Sequence, residues 1–400
     1  MQALENQHLF MKKLLTIALV VATLMGVTSC VKDDKNISVW LAHSEMKRNP
    51  NPMTLDFQTK PKWDYSAATE LLGFMKVAEK YSDDELRSYA RSWADSMVNG
   101  QGVIRGYKPT THTIDHLCPG KLLLRLYNTT GDERYMTAAT SLMEQVKTHP
   151  RTSEGGLWHK AVYENQMWLD GLYMGAPFIA EYAQLKELDM SEDMVRQYLI
   201  VGKHTYDDST RLYRHAWDEA HSQFWADTLT GRSQHAWGRA NGWYMMGLVD
   251  VLEFIPEGTV GRDSLIARLQ GLAEALLDYR DKKTGMWFQV LDCPEREGNF
   301  VESSCSAMFI YSMLKGVRLG YLPAKFRDVA EMAFKQFVMT FLKENENDGT
   351  LSVTQCCAVA GLGGKDMRDG SFDYYIHEKV RDNDPKTIGP FLMACVELGY

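Results

Sequence analysis

The stretch YENQMWLDGLYMGAP, residues 163–177, places one acidic side chain at the centre of an apolar, helix-like pattern. Its acid, Asp170, is flanked on both sides by apolar or aromatic residues. In a helix its neighbours three and four positions away are Gln166, Met167, Tyr173 and Met174, none of which is basic. Because burial penalises the charged form of a carboxyl group, we expect Asp170 to hold its proton near neutral pH, as a general acid must. The alternative interpretation is an exposed Asp on an amphipathic helix.

The rest of the chain repeats this helical spacing, with apolar residues recurring every three or four positions. The pattern predicts helices at residues 37–47, 64–80, 83–98, 116–128, 132–147, 165–184, 191–205, 239–254, 262–280, 303–319, 323–342 and 387–400. Strand-like alternation is confined to short pieces such as 287–291. Short connections alternate with long ones, and short loops join hairpin partners. If the first and last helices pair, the fold class is all-α: a toroid of six helical hairpins, or (α/α)6 barrel, with the long loops on one face.

The N-terminus has the features of a secretory signal: Lys12 and Lys13, an apolar run over 14–25, then small residues and Cys30. The four residues that end at Cys30 are similar to a bacterial lipobox. We therefore predict a lipoprotein signal peptide at 1–30, a lipid on Cys30, and a single barrel domain at 31–400. The protein would be exported and face the periplasm or the outer-membrane surface, and it would touch the membrane only through that lipid.

Composition excludes several classes of function. The net charge of −8 argues against a nucleic-acid binder, which should present a basic face, but one well-placed Arg can still bind an acidic ligand. The six remaining Cys are scattered and do not form a disulfide pattern. The segment 361–365 lacks P-loop spacing, the eleven His lack metal-ligand spacing, and no nucleophile elbow is present. We therefore expect no metal and no cofactor.

Three further stretches beside the long loops carry candidate residues. Asp115 is either the N-cap of the following helix or a second carboxylate that faces Asp170. His215 lies in an aromatic loop, as a ligand contact, a proton partner or a structural residue. Arg239 begins a predicted helix and is able to bind a carboxylate with both arms of its guanidinium.

Aromatic residues near these positions suggest a sugar-binding cleft. Trp237 and Trp243 bracket Arg239 and offer flat faces for a sugar ring, or else pack in the core. Tyr65, at another helix start, would line the same cleft.

Taken together, these motifs resemble glycoside hydrolase family 105, the unsaturated rhamnogalacturonyl hydrolases, which are related to the unsaturated glucuronyl hydrolases of family 88. The resemblance runs from about residue 63 to the C-terminus. The matching segments are 115–121, 166–174, 215–219, 237–243, 302–308, 369–375 and 389–391.

The resemblance implies an (α/α)6 barrel and an enzyme that removes a 4,5-unsaturated uronic acid from lyase-generated oligosaccharides. Asp170 would protonate C4 of the vinyl ether and then activate the water that adds at C5. Asp115 would hold sugar hydroxyls and influence the ionisation of Asp170. The implied substrate-binding residues are His215, Arg239, Trp237, Trp243, Tyr65, Asn165, Gln166 and Trp168. No metal or cofactor is implied, and the only partner is the oligosaccharide.

One departure from the family pattern concerns Asn165, which with Glu164 stands where the best-known members carry Pro-His. This leaves the exact substrate open, including a glucuronyl substrate from another polysaccharide. Three other functions remain open. One is a sugar epimerase, for which His215 is the only clear His candidate, and another is a glycosidase with two catalytic carboxyls. The third is a glycan-binding lipoprotein without catalysis. A pure binder has no use for a desolvated, unpaired acid, which argues against the last of these.

Overall fold

The computed structural model describes residues 36–400, so the predicted signal peptide and Cys30 lie outside the described residues. Thirteen α-helices occur in this part of the chain. They are α1 Ile37–Arg48, α2 Tyr65–Tyr81, α3 Asp84–Met97, α4 Gly120–Thr130, α5 Glu133–Thr148, α6 Leu169–Leu185, α7 Ser191–Thr205, α8 Gly238–Val251, α9 Arg262–Leu276, α10 Ser303–Arg318, α11 Lys325–Phe341, α12 Phe372–His377 and α13 Pro385–Leu398.

Twelve of these helices form two concentric rings. The inner ring is α2, α4, α6, α8, α10 and α13, and neighbouring members pack against one another around the circle. Its helices are buried on nearly all sides; in α8 only Asp250 is not classed as buried. The outer helices are amphipathic, as in α3, where Leu86, Tyr89, Ala90 and Trp93 share the buried face. The predicted (α/α)6 barrel is confirmed, and the last helix packs against the first, as expected.

The ring closes where α13 meets α2, and two glycines allow this close approach. A Cβ atom on Gly389 would lie 2.4 Å from the carbonyl oxygen of Thr69, and a Cβ on Gly73 would lie 2.9 Å from that of Gly389. Any side chain at these positions would therefore push the two helices apart. The C-terminal helix thus completes the barrel directly against the first inner helix.

The long loops hold short strands that the helical pattern did not predict. The strands are β1 Gln166–Trp168, β2 Tyr206–Asp207, β3 Leu212–Tyr213, β4 Ala216–Asp218, β5 Leu342–Glu344, β6 Leu351–Val353, β7 Cys356–Cys357 and β8 Val380–Arg381. They pair as β1–β4, β2–β3, β5–β6 and β7–β8, all antiparallel. Among the described residues, none of the helices is both long and apolar enough to cross a membrane.

Two predicted helices near the long loops are corrected. The helix expected at 165–184 begins only at Leu169, because the three residues before it pair with β4. The helix expected at 116–128 is a 3-10 turn, Ile114–Leu117, followed by α4. Both corrections fall on candidate site residues and change their surroundings.

Candidate active site

A cleft of about 550 Å³ opens at the loop end of the barrel. Four of the predicted site residues line it: Tyr65, Asp115, Trp168 and Asp170. The other lining residues come from the segment before α2 and its first turn, the 113–116 turn, the 149–168 loop, α6, the C-terminal loops and α13. They include Asp56, Lys62, Asp64, His116, His159, Lys160, Tyr163, Met174, Val359, Arg368, Arg381 and Lys386.

Asp170 is held at the start of α6 by the β1–β4 pairing. Trp168 pairs with Ala216, and the next amide along the chain, that of Leu169, donates to the carbonyl of His215 at 3.1 Å. Asp170 is therefore the second residue of the helix rather than a residue in its middle.

The same pairing places the imidazole of His215 beside Asp170. His215 is fully buried, and its Nε2 lies 3.1 Å from Oδ2 of Asp170. On the other side of the ring, Nδ1 lies 2.8 Å from the hydroxyl of Tyr375. The sequence-based search for a basic partner covered only helical neighbours, so it missed this one. Asp170 is neither isolated from basic groups nor an exposed helix residue.

Asp115 does not cap a helix; it lies in the 3-10 turn and faces two residues of the 149–168 loop. Its Oδ2 is 2.6 Å from Nζ of Lys160, and its Oδ1 is 3.6 Å from Nε2 of His159. Burial on its own would raise the pKa of Asp115, but the charge of Lys160, with a smaller effect from His159, brings it below its usual range. Asp115 is therefore ionised at neutral pH, and Lys160 compensates its charge.

Two glycines of α6 let the Asp115 turn pack closely against this helix. A Cβ on Gly175 would lie 3.1 Å from Cγ2 of Ile114, and one on Gly171 would lie 3.1 Å from Nδ1 of His159. Side chains at these positions would displace the residues that hold Asp115. The space that the missing side chain of Gly171 leaves next to Asp170 is thus occupied by His159.

An aromatic wall, Tyr163, Trp168 and His159, flanks the acids. Trp168 stacks on His159 with ring centroids 4.6 Å apart and on Tyr163 at 5.0 Å. Burial lowers the pKa of His159 to about 4, so this ring is neutral at pH 7. Nearly parallel flat rings of this kind suit the apolar face of a sugar.

Two predicted contact residues support this wall and are not among the residues that line the cleft. The side chain of Gln166 is buried and accepts a hydrogen bond from the indole nitrogen of Trp168 at 3.0 Å. Asn165 has a φ of 62° and makes the turn before β1. Its carbonyl accepts from the amide of Glu219 at 2.9 Å.

Arg239 does not line the cleft, contrary to the role predicted for it. Its guanidinium is buried and donates to Oγ of Ser304 at 2.7 Å, to Glu302 at 3.3 Å, and to the carbonyls of Cys357 and Ala358. These contacts tie the 356–360 segment, which forms part of the cleft wall, to the start of α10. Arg239 therefore braces the site within the protein.

The two tryptophans beside Arg239 are also core residues. Trp237 donates to Gln289 and packs behind His215, with ring centroids 4.8 Å apart. Trp243 stacks on Tyr173 at 4.7 Å. The core-packing alternative is correct for both residues, and the aromatic surface of the cleft comes from the Tyr163–Trp168 stack instead.

Sequence reasoning missed most of the basic residues of the cleft. Lys160 and His159 lie in a long loop, and Arg368, Arg381 and Lys386 lie in or near the C-terminal loops. The available signal was their position in long loops, which were expected to share the functional face. His116 and His159 also weaken the argument that His residues are too scarce here for an epimerase.

One group of potential metal ligands occurs in the described chain, away from the cleft: His235, Asp292 and Cys293. The carboxylate of Asp292 already accepts from Arg214, from the amide of Ala236 at 3.0 Å and from His235 at 3.0 Å. Its oxygens are thus taken up by hydrogen bonds and an ion pair. This group is a structural cluster that joins two loops.

Comparisons with known proteins agree with this architecture. The family model described as Glycosyl Hydrolase Family 88 matches residues 37–399. A solved glycoside hydrolase of family 105 from C. acetobutylicum ATCC 824 is 42% identical, with a TM-score of 0.85 over 91% of this chain and 99% of that one. Unsaturated rhamnogalacturonyl hydrolase YesR of Bacillus subtilis is 28% identical over 270 residues, 66% of this chain and 73% of its own.

A solved unsaturated glucuronyl hydrolase specific for heparin covers 90% of this chain and 96% of its own, with a TM-score of 0.65 at 13% identity, and shares the fold. The resemblance stated from the sequence is confirmed. With a family model that spans almost all of the described chain and a relative in family 105, the protein belongs to the glycoside hydrolases of families 88 and 105.

Proposed function

We propose that this glycoside hydrolase removes a 4,5-unsaturated uronic acid from the non-reducing end of lyase-generated oligosaccharides. We further propose that the natural substrate is the unsaturated galacturonyl-rhamnose unit of rhamnogalacturonan I. The named activity of the relative YesR supports this choice. Family membership supports the broader class, and the cleft supplies both acids and a flat aromatic wall.

The observation that carries the proposal is the setting of Asp170. Its carboxyl lines the cleft next to Trp168, and its Oδ2 is buried without a hydrogen-bond partner among the described residues. A buried carboxyl oxygen whose ion-pair neighbour is a single imidazole, His215, and which makes no hydrogen bond within the described residues is costly for folding, so it favours a functional role. In the proposed reaction Asp170 gives its proton to C4 of the vinyl ether and C5 gains cationic character. The resulting carboxylate then takes a proton from water as that water adds to C5, and the hemiketal collapses to release the shortened saccharide.

Asp115 has a different role in this proposal. Because Lys160 holds it in the ionised form, it is suited to accept hydrogen bonds from sugar hydroxyls and not to donate a proton. A glycosidase with two catalytic carboxyls also combines one protonated acid with one ionised carboxylate, so the fate of the 4,5-double bond is what distinguishes the two reactions.

The test is the loss of the ultraviolet absorbance of the 4,5-double bond, with lyase-generated rhamnogalacturonan oligosaccharides as substrate. We expect loss with the wild type and a decrease in rate of at least about 10³-fold for Asp170→Asn. Asp263 is a matched control, because it is also the second residue of a helix but lies on the surface. Asp263→Asn should keep full activity.

Three results would contradict parts of this proposal. Cleavage of a saturated glycoside without loss of the double bond would refute the mechanism. Turnover of only glucuronyl substrates would refute the choice of rhamnogalacturonan. Binding of saccharides without any turnover would indicate a glycan-binding protein.

The cellular location stays a separate proposal, since residues 1–30 and Cys30 lie outside the described chain. We propose an exported lipoprotein at the periplasm or outer-membrane surface. Metabolic labelling with a fatty acid should mark the wild type and leave Cys30→Ser unlabelled; labelling of both would refute it.

A further inference from the structure

The cleft brings basic and acidic side chains together, in a chain whose net charge is −8. Five Lys or Arg side chains line it, and four of them have a carboxylate partner. Lys62 pairs with Asp64, Lys160 with Asp115, and both Arg381 and Lys386 with Asp56 and Asp384. The fifth, Arg368, has no acidic partner within ion-pair distance in the described part of the chain.

Arg368 is nevertheless held firmly, by neutral acceptors only. Its Nε donates to the carbonyl of Gly363 at 2.9 Å. Its Nη2 donates to the carbonyl of Leu362 at 3.2 Å and to the hydroxyl of Tyr163 at 3.0 Å. These bonds fix the plane of the guanidinium but leave its charge uncompensated.

The same contacts connect Arg368 to the aromatic wall. Tyr163 receives the Nη2 hydrogen bond and stacks on Trp168, which is two residues from Asp170. The remaining terminal nitrogen, Nη1, has no hydrogen bond to the described residues. A Cβ on Gly361 would lie 2.4 Å from it, so the absence of a side chain there lets the guanidinium lie against the loop backbone. The result is an oriented cation at the side of the wall where a sugar would stack.

We propose that Arg368 binds an anionic oxygen group of the saccharide, either the carboxylate of the uronic acid or a sulfate ester on the adjoining sugar. The inference rests on the proposed function, because it assumes a charged saccharide in this cleft. A planar guanidinium matches the spacing of the oxygens in both groups. Because all hydrogen-bond partners of Arg368 are neutral, its positive charge is free to pair with an anionic ligand. It also fills the role that the sequence assigned to Arg239, whose guanidinium is occupied by the protein.

The test measures binding directly, by calorimetry with the Asp170→Asn variant so that no turnover occurs. Adding Arg368→Gln should weaken binding of a charged unsaturated oligosaccharide about ten- to hundredfold. Arg368→Lys should give an intermediate loss of affinity, since lysine keeps the positive charge but lacks the two parallel N–H donors of the guanidinium. Arg280 is a matched control, because it is also partly buried and bound to neutral acceptors, Gly285 and Gln336, outside the cleft. Arg280→Gln should leave binding unchanged.

Two substrate modifications distinguish the sources of the anionic group. If Arg368 binds the uronate, methyl esterification of that carboxylate should weaken binding. Arg368→Gln should then cause no further loss of affinity for the esterified saccharide. If it binds a sulfate ester, the effect of Arg368→Gln should survive esterification and vanish on oligosaccharides without sulfate. Melting temperatures within a few degrees of the Asp170→Asn parent would show that each variant is folded.

The inference is overturned if Arg368→Gln leaves binding of every charged saccharide unchanged, or if no such saccharide binds while Arg368 is present. Turnover of the double bond by the wild type together with Arg368-independent binding would leave the proposed function standing and remove this inference. Binding that depends on Arg368, without any turnover by the wild type, would support the inference and refute the proposed function.

Discussion

Nε2 of His215 lies 3.1 Å from Oδ2 of Asp170, and neither atom has any other polar partner in the described part of the chain. The β1–β4 pairing fixes this separation, because the residues that follow Trp168 and precede Ala216 are aligned by the strand register. At this separation Nε2 is able to donate to the carboxylate when it carries the ring proton. The hydroxyl of Tyr375, on the far side of the imidazole, influences which nitrogen carries it.

Tyr375→Phe should test this arrangement. When Asp170 is ionised, the favoured tautomer has the proton on Nε2, so that the Tyr375 hydroxyl donates to Nδ1. Loss of that bond, worth about 1 kcal/mol, should lower kcat roughly five- to tenfold and shift the pH profile of kcat, with little change in KM. Tyr321→Phe, which removes a hydroxyl bonded to the Leu252 carbonyl outside the cleft, should change neither. An unchanged pH profile for Tyr375→Phe would show that the tyrosine is only a packing residue.

The Asp115–Lys160 pair should stabilise the fold over a defined range of pH. The pKa of Asp115 is lowered below its usual value, so its contribution is complete above an unfolded pKa of about 3.9 and is lost as the pH falls through the folded value. Burial on its own would lower the pKa of Lys160, but Asp115 raises it, so that contribution is lost only as the pH rises through a value above about 10.4. Between these limits the free energy of unfolding should include the full effect of the pair.

Lys160→Met should therefore reduce the free energy of unfolding at pH 7 by about 1–3 kcal/mol, because it leaves a mostly buried carboxylate unpaired. It should also flatten the acid-side dependence of stability below pH 4. The control is Lys203→Met, which breaks a surface pair with Glu154 and should cost about 0–1 kcal/mol. Urea unfolding across pH measures both. Equal losses in the two variants would show that the cleft pair behaves like an exposed one.

The barrel was predictable from sequence because its evidence is local. Apolar spacing marks each helix, and the alternation of short and long connections indicates which helices are partners. The three-residue strand β1 was not predictable, because its helical spacing is overridden by a partner strand in another loop. The start of α6 was misplaced for that reason.

The same contrast between local sequence evidence and contacts from distant segments applies to the candidate site. Asp170 was singled out because a lone acid among apolar residues is a local signal, and the structure places it in the lining of the cleft. Arg239 was misassigned because the carbonyls that occupy it, those of Cys357 and Ala358, come from a distant segment of the chain. Lys160 and Arg368 were missed because nothing in a loop sequence shows that one cation will pair with Asp115 and that the other will have no acidic partner.

Arg239→Lys separates the two interpretations of that residue. If Arg239 braces the 356–360 segment, lysine cannot reach Ser304, Glu302 and the two carbonyls together, and stability should fall by about 3–5 kcal/mol. A substrate-binding Arg239 would instead give a higher KM with an unchanged melting temperature. Arg318→Lys, at a pair with Glu397 whose arginine is about half exposed, should cost about 0–1 kcal/mol and serves as the control.

Gly171→Ala should show whether the close approach of His159 to Gly171 matters for the reaction. In a helix, alanine normally makes the free energy of unfolding about 0.5–1 kcal/mol higher than glycine does. Gly271 of α9 is the control: it is exposed, and nothing lies within 4 Å of where its Cβ would be, so Gly271→Ala should show that gain. At Gly171 the Cβ would lie 3.1 Å from Nδ1 of His159, so the imidazole must move by a few tenths of an ångström, and the stack with Trp168 moves with it. We expect Gly171→Ala to gain little or no stability and to lower kcat/KM at least about tenfold, while Gly271→Ala keeps full activity. Equal gains in stability with unchanged kinetics would mean that His159 can shift freely and that its position does not matter for the reaction.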